Sequence, residues 1–259
     1  MEQLKIIKIG GNIIDDENAL ESFLNDFSKI HGKKILIHGG GKIATKVSQA
    51  LGIQTQMHEG RRITCKDTID VVTMTYAGLI NKKIVAELQK YDCNAIGLTG
   101  ADGNLIPSIK RPVKDIDYGF VGDVKEDKIN TSLLQLFISK EICPVFCAIT
   151  HDENGQLLNT NADTIAATIA KSLSKVYNVD LIYCFEKNGV LADINDNNSV
   201  IKNITPENFD KLKSEGIIAN GMIPKLSNAF DALDYGVNRV IIKNAQYISD
   251  DSGTFITQN

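Results

Sequence analysis

No run of apolar residues in the chain reaches the roughly 20 needed to cross a bilayer, which excludes a membrane-spanning helix. No tract of lysine and arginine is present, and the net charge is −4, which argues against non-specific binding of nucleic acid. Cysteine is scarce, odd in number and scattered: Cys65, Cys93, Cys143, Cys147 and Cys184. Cys143 and Cys147 flank an apolar strand-like run and read as core thiols of a reducing compartment, not as metal ligands. No leader precedes the first strand-like stretch, so the expected location is cytoplasmic. Internal repeats and low-complexity segments are missing too. Neither GxxxxGK[ST] nor GxGxxG occurs, so the chain offers no P-loop and no dinucleotide fingerprint after its first strand.

What is present is a 259-residue chain, 43% apolar and 23% charged, enough for one large domain or two tightly joined lobes. Short apolar runs at Ile6–Ile9, Lys34–Ile37, Asn94–Leu98, Pro144–Ile149, Leu181–Phe185 and Arg239–Lys243 read as strands, the last closing the core. Stretches of helical periodicity alternate with them: Asp16–Lys29, Ile43–Leu51, one long helix Asp67–Tyr91, Ser132–Ser139, Asn161–Ser172, Pro206–Ser214 and Met222–Leu233. Prolines and Gly119 break 104–123 into short hairpin strands. This alternation gives an α/β fold with a mainly parallel, doubly wound sheet. The expected lobes are 1–175 and 176–259.

Two stretches organise the chemistry. Ile6–Asn12 (IIKIGGN) is a strand carrying Lys8 that ends at Gly10 and Gly11. Ile35–Lys42 (ILIHGGGK) is a strand that ends in three glycines, with His38 just before them. Glycines after a strand leave backbone N–H groups uncovered, an anion-binding nest, and Lys8 adds a full charge at the same edge. By residue type alone each feature also has a plain structural account. Gly-Gly closes many strand-to-helix turns, Arg61–Arg62 could be a solvated pair, and Asn159, Asn161 and Asp163 could simply cap a helix. Lys225 on its helix could be an exposed lysine.

Five motifs in order resemble the amino acid kinase family, and within it the acetylglutamate kinase branch: IIKIGGN, ILIHGGGK, HEGRRIT (His58–Thr64), LNTNADTIAA (Leu158–Ala167) and GMIPK, which ends at Lys225. The resemblance covers essentially the whole chain. It implies an open αβα sandwich and transfer of phosphoryl from ATP, with Mg²⁺, to the side-chain carboxylate of N-acetyl-L-glutamate, the second step of arginine biosynthesis. N-succinyl-L-glutamate as the acceptor, or a non-catalytic nucleotide-binding sensor, are the alternatives. Carried over by position, Lys8 and Lys225 would meet the moving phosphoryl group and Asp163 would organise both lysines. Gly10 and Gly11 would offer N–H groups to the phosphate, and Gly189 would belong to the nucleotide site. Gly40, Gly41, Arg62 and Asn159 would hold the acylated amino acid, and no protein ligand to a metal is expected.

These residue types suit the chemistry. Phosphoryl transfer between oxygens needs in-line positioning and neutralisation of spread negative charge. A carboxylate acceptor is already ionised at neutral pH, so no general base is required. Two departures stand out. Cys184–Phe185–Glu186 occupies the place where the family carries Thr/Ser-Asp, and Thr99–Gly100–Ala101–Asp102 differs from commoner branch members, which leaves the acyl end open. Arginine-inhibited members of the family carry an extra N-terminal helix that links dimers into a hexamer. Met1–Gln3 is too short for one, so the resemblance implies a homodimer, formed near helix Asp67–Tyr91, without arginine feedback.

Overall fold

The computed structural model describes residues 1–218 and 222–258. Gly221, the first residue of GMIPK, lies outside the described residues. Eight strands form one sheet: β1 Gln3–Ile9, β2 Lys33–His38, β3 Ala95–Leu98, β4 Cys143–Cys147, β5 Asn178–Phe185, β6 Asn203–Ile204, β7 Arg239–Asn244 and β8 Thr254–Ile256. Their spatial order is β6-β8-β7-β5-β1-β2-β4-β3. Every neighbouring pair is parallel except β7 and β8. Consecutive residues of β1, β2, β4 and β5 are buried, and successive side chains of a strand point to opposite faces, so helices cover both faces.

The topology places the site. From β1 the chain moves to one side, through β2, β3 and β4, then crosses back to add β5 on the other side of β1. Adjacent strands that lead away in opposite directions leave a crevice at their carboxyl ends, the usual ligand position in open α/β sheets. Lys8, His38 and Phe185 all stand at that edge, with Lys8 in register with Ile37 and Tyr183.

Several sequence expectations change. Helices begin earlier than apolar periodicity indicated, directly at the glycines: Gly11–Asp15 and Gly41–Ala50. The single long helix Asp67–Tyr91 is instead three segments, Lys66–Thr73, a π-helical turn Met74–Ile80 and Asn81–Lys90. The wider π turn, a feature often met beside functional sites, brings Tyr76 and Ile80 together against Gly40. The run Pro144–Ile149 splits, because Ile149–His151 leaves the main sheet to pair with Leu157–Asn159. Arg239–Lys243 is not the last strand, since β8 returns antiparallel beside it. The hairpin expected within 104–123 is Ser108–Lys110 paired with Gly122–Val124. Cys93, Cys143, Cys147 and Cys184 are buried and unpaired, and Cys65 is exposed.

Candidate active site

Lys8 is the penultimate residue of β1, and its side chain is almost entirely enclosed. Its Nζ lies 2.7 Å from Asp163 Oδ1. Asp163 sits in the first turn of helix Ala162–Leu173, where Asn161 Oδ1 accepts from the Asp163 and Thr164 N–H groups at 2.8 and 3.1 Å. Capping and ion pairing therefore coexist: Asn161 caps, which frees the Asp163 carboxylate to face Lys8. Lys225, in the first turn of helix Ile223–Asp234, places Nζ 3.9 Å from the centroid of Phe185, and Lys8 Nζ lies 5.5 Å from the same ring. Burial lowers the Lys225 pKa; the Asp163 charge opposes that shift and the Lys8 charge adds to it. The three charged groups thus share one field.

Asp163 does not bridge the lysines directly. Among the described residues it pairs with Lys8 only, and it acts on Lys225 through space. Phe185 fills the contact that sequence reasoning gave to Asp163. The sequence showed Phe185 only as part of the Cys184–Phe185–Glu186 departure and gave it no role, because an aromatic ring at the end of a strand reads as core, although its face attracts both ammonium groups.

The glycines divide into different jobs. The Gly10 N–H donates to Cys184 O at 3.2 Å, so it continues the β1–β5 ladder instead of facing a phosphate as expected. Gly11 heads helix Gly11–Asp15, where the first N–H groups have no acceptor within the helix. Gly189 is accounted for by packing: a Cβ there would stand 2.7 Å from Thr254 Oγ1, the atom that also accepts from the Val190 N–H at 2.8 Å. Gly40 has φ +151°, and a Cβ would fall 2.2 Å from Ile80 Cδ1. Gly41 has open space above its Cα.

Arg62 is buried while its neighbour Arg61 is exposed, which separates the two arginines by role. One terminal nitrogen of Arg62 donates to Gly41 O and Thr45 Oγ1, both at 2.8 Å, and the other to Thr55 Oγ1 at 3.1 Å. Hairpin Gln56–His58 with Arg61–Ile63 is thereby tied to helix Gly41–Ala50. Between them opens a cleft of about 800 Å³ whose lining includes Gly11, Gly41, Lys42, Thr45, Thr55 and Arg62. Lys42 closes the motif ILIHGGGK but was given no role, and Thr45 and Thr55 were not singled out, because isolated hydroxyls carry no pattern. Asn159 does not line this cleft. Its Nδ2 donates to Thr64 Oγ1 at 3.0 Å, and that hydroxyl donates to Arg62 O at 3.1 Å, so one side chain links the two expected ligands.

His38 fixes the second glycine turn. It is fully buried, and Asn81 Nδ2 donates to its Nε2 at 3.1 Å and to Val145 O at 2.9 Å. The other ring nitrogen, Nδ1, then carries the proton and donates to Gly39 O at 2.8 Å. Burial pushes the His38 pKa down to about 4. Below its ordinary value of 6.5 the unfolded chain takes up a proton that the folded chain refuses, so folding stability falls with pH across that window. The loss approaches about 3 kcal/mol by pH 4. Denaturant titrations between pH 7 and 4 should show this slope, and His38→Gln should flatten it; an unchanged slope in the variant would remove His38 as its source.

A model of the amino acid kinase family matches residues 3–244. Acetylglutamate kinase of Phocaeicola vulgatus is 55% identical over 98% of this chain and 98% of its own length. That of Bacteroides thetaiotaomicron is 54% identical with the same coverage. Among solved structures, smu.665 from Streptococcus mutans superposes with a TM-score of 0.77 at 25% identity, covering 99% of both chains. Carbamate kinase from Giardia lamblia matches with a TM-score of 0.71 at 15% identity, over 100% of this chain and 99% of its own, a likeness of fold alone.

Proposed function

The chain belongs to the amino acid kinase family, and from that premise we propose that it transfers the γ-phosphoryl group of ATP to the side-chain carboxylate of N-acetyl-L-glutamate. The product is N-acetylglutamyl 5-phosphate, an intermediate of arginine biosynthesis. The observation that carries the acceptor is full-length similarity above one-half identity to proteins named for that reaction. The geometry agrees with it. Two lysines and an aspartate share one field at the carboxyl ends of β1 and β5, beside a cleft lined by a buried arginine and glycine backbone.

In this reading Lys8 and Lys225 neutralise the charge that spreads over the phosphoryl oxygens in transit, and Asp163 keeps Lys8 aimed. The Gly11 N–H and the helix it heads face the transferring phosphate. Arg62 and Gly41 hold the acceptor in the cleft, with Asn159 behind them through Thr64. The first lobe, 1–175, carries the acceptor and the second, 176–259, carries ATP. Mg²⁺ carried on the triphosphate would supply charge neutralisation between the phosphates. Among the described residues no cluster of three or more His, Cys, Asp or Glu side chains could hold a metal ion. We place the enzyme in the cytoplasm; no described helix is long and apolar enough to cross a membrane.

The test is ADP formation with MgATP and N-acetyl-L-glutamate, N-succinyl-L-glutamate, L-glutamate or carbamate as acceptor. The acetylated substrate should give the highest kcat/KM. Absence of stimulation by any acylated glutamate would overturn the reading, and a higher kcat/KM for the succinylated one would reassign the acceptor.

Arg62→Lys should raise the acceptor KM by roughly 10- to 100-fold with a smaller change in kcat. An ammonium cannot reproduce a fork that holds Gly41 O, Thr45 and Thr55 while facing a carboxylate. An unchanged KM would remove Arg62 from the acceptor site.

The assembly we propose is a homodimer through the first lobe. Met74 and Leu79 stand exposed on the π-helical turn, a place where a second copy could bury them. Light scattering should give twice the chain mass, and Met74→Lys with Leu79→Lys should lower it; a monomer or hexamer for the unaltered chain would refute this assembly.

A further inference from the structure

Helix Ala162–Leu173 and helix Ile223–Asp234 each carry one charged residue of the phosphoryl site in the first turn, Asp163 and Lys225. Toward their other ends the same two helices are joined again, by contacts that no catalytic reading uses. Lys171 has nearly all of its side chain enclosed. Its Nζ forms an ion pair with Asp231 and another, at 3.0 Å, with Glu126 Oε1. The same ammonium lies 4.7 Å from the centroid of the Tyr235 ring. Ser174 Oγ adds a bond of 3.0 Å to Tyr235 O, just past the end of the second helix.

An enclosed ammonium without partners would be costly, and two carboxylates with one aromatic face remove that cost only in a single arrangement of the helices. Burial acts against the charged form of Lys171, but the bonds it donates to Asp231 and Glu126 outweigh it and its pKa is raised, so the ammonium is kept throughout the neutral range. Glu126 comes from the turn that follows hairpin Ser108–Lys110 with Gly122–Val124, and Val121 bridges to Asn159. One ammonium therefore ties three elements: the Asp163 helix, the Lys225 helix and the hairpin beside the acceptor residues. At the active end, by contrast, Lys225 makes no direct ion pair with Asp163 among the described residues. The distance between those two groups has to be fixed from elsewhere.

We infer that Lys171, with Asp231 and Glu126, is a positioning residue: it clamps the far ends of the two helices so that Lys225 is held over Phe185 and beside the Lys8–Asp163 pair. The catalytic consequence rests on the phosphoryl-transfer reading above, and the positional consequence does not.

The two are tested separately. The first measurement is the rate at which Lys225 is acetylated by a limiting amount of acetic anhydride, followed by peptide mass spectrometry in the full-length protein. Lys225 is half-buried, so loss of the clamp should expose it. Lys171→Met and Asp231→Asn should raise its labelling several-fold relative to an exposed lysine such as Lys46, while Lys171→Arg stays near the unaltered protein. The second measurement is steady-state kinetics. The same two variants should lose at least tenfold in kcat with the acceptor KM within twofold, and Lys171→Arg should recover most of the loss. Asp231→Asn leaves Lys171 paired with Glu126 and serves where Lys171→Met does not fold. Folded variants with unaltered Lys225 labelling would overturn the positional claim. Raised labelling with unaltered kcat would overturn its catalytic part. Raised labelling in a protein that no acylated glutamate stimulates would leave the clamp standing and overturn the phosphoryl-transfer reading.

Discussion

Lys8→Ala is expected to lower kcat by about 10²- to 10³-fold, a barrier increase of roughly 3–4 kcal/mol, with the acceptor KM little changed. The magnitude follows from the position of Lys8. Its ammonium is enclosed at the crevice edge, aimed by a 2.7 Å ion pair with Asp163 and supported by the face of Phe185. A group so fixed needs no reorganisation when charge moves onto the transferring oxygens, which is the condition under which electrostatic stabilisation is largest. An interaction that strengthens only in the transition state appears in kcat, not in KM. Removing Lys8 leaves the Asp163 carboxylate without its cation and closer in effect to the incoming triphosphate, which adds to the loss. Folding should suffer far less, because the Asp163 side chain keeps partial access to water. Lys225→Ala should show the same kinetic pattern. Steady-state kinetics, with a thermal denaturation curve to confirm folding, decide the matter; a kcat within tenfold of the unaltered enzyme would take Lys8 out of the transition state.

The parts of this site that could be read from sequence are those in which backbone geometry forces a residue type. The turn in ILIHGGGK was marked in this way, because Gly40 has a φ of +151° that L side chains rarely adopt; the turn in IIKIGGN was marked only by its Gly-Gly pair, since Gly10 is in ordinary extended conformation. The buried strands were legible as continuous apolar runs, since a parallel sheet covered on both faces needs no alternation. The edge strands Asn203–Ile204 and Thr254–Ile256 were not, because two or three residues give no period to detect. The π turn at Met74–Ile80 was hidden for a related reason: over seven residues its spacing of apolar positions merges into that of the helices on either side.

Side-chain convergence was less legible than fold. Arg62 could be separated from Arg61 only once burial and its bonds to Gly41, Thr45 and Thr55 were visible. Gly10 was read as an anion-binding N–H, yet that N–H is spent on Cys184, a partner more than 170 residues away, which no local pattern reveals. Phe185 and Lys171 were given no role, for opposite reasons. An aromatic residue in a strand is expected to be buried, and a lysine in a helix is expected to be exposed. Both expectations describe the residue type, while the role of each depends on which charges the fold brings beside it.

Gly40→Ala and Gly41→Ala, neighbours in one turn, should fail in different ways. At Gly40 a methyl group meets Ile80 Cδ1 at 2.2 Å and the Tyr76 ring at 3.2 Å, and φ of +151° is a conformation that L side chains rarely adopt. Backbone strain of about 1–3 kcal/mol and overpacking of a similar size should together cost about 2–6 kcal/mol of stability. Because the strained turn also carries the Gly41 carbonyl that Arg62 holds, the acceptor KM should rise as well. Gly32→Ala is the control for backbone strain alone, since its φ is +88° and nothing lies within 4 Å of the added methyl. Gly41 is different: it has no positive φ, and a methyl there enters open space at the edge of the cleft. Its substitution should leave the denaturation midpoint unchanged while raising the acceptor KM by an order of magnitude, because a methyl group then occupies space that the reacting carboxylate needs. Denaturant titration and acceptor kinetics on the three variants separate the effects. Equal stability of Gly40→Ala and Gly32→Ala would show that Ile80 and Tyr76 give way without cost. A normal acceptor KM in Gly41→Ala would place the carboxylate elsewhere than against this turn.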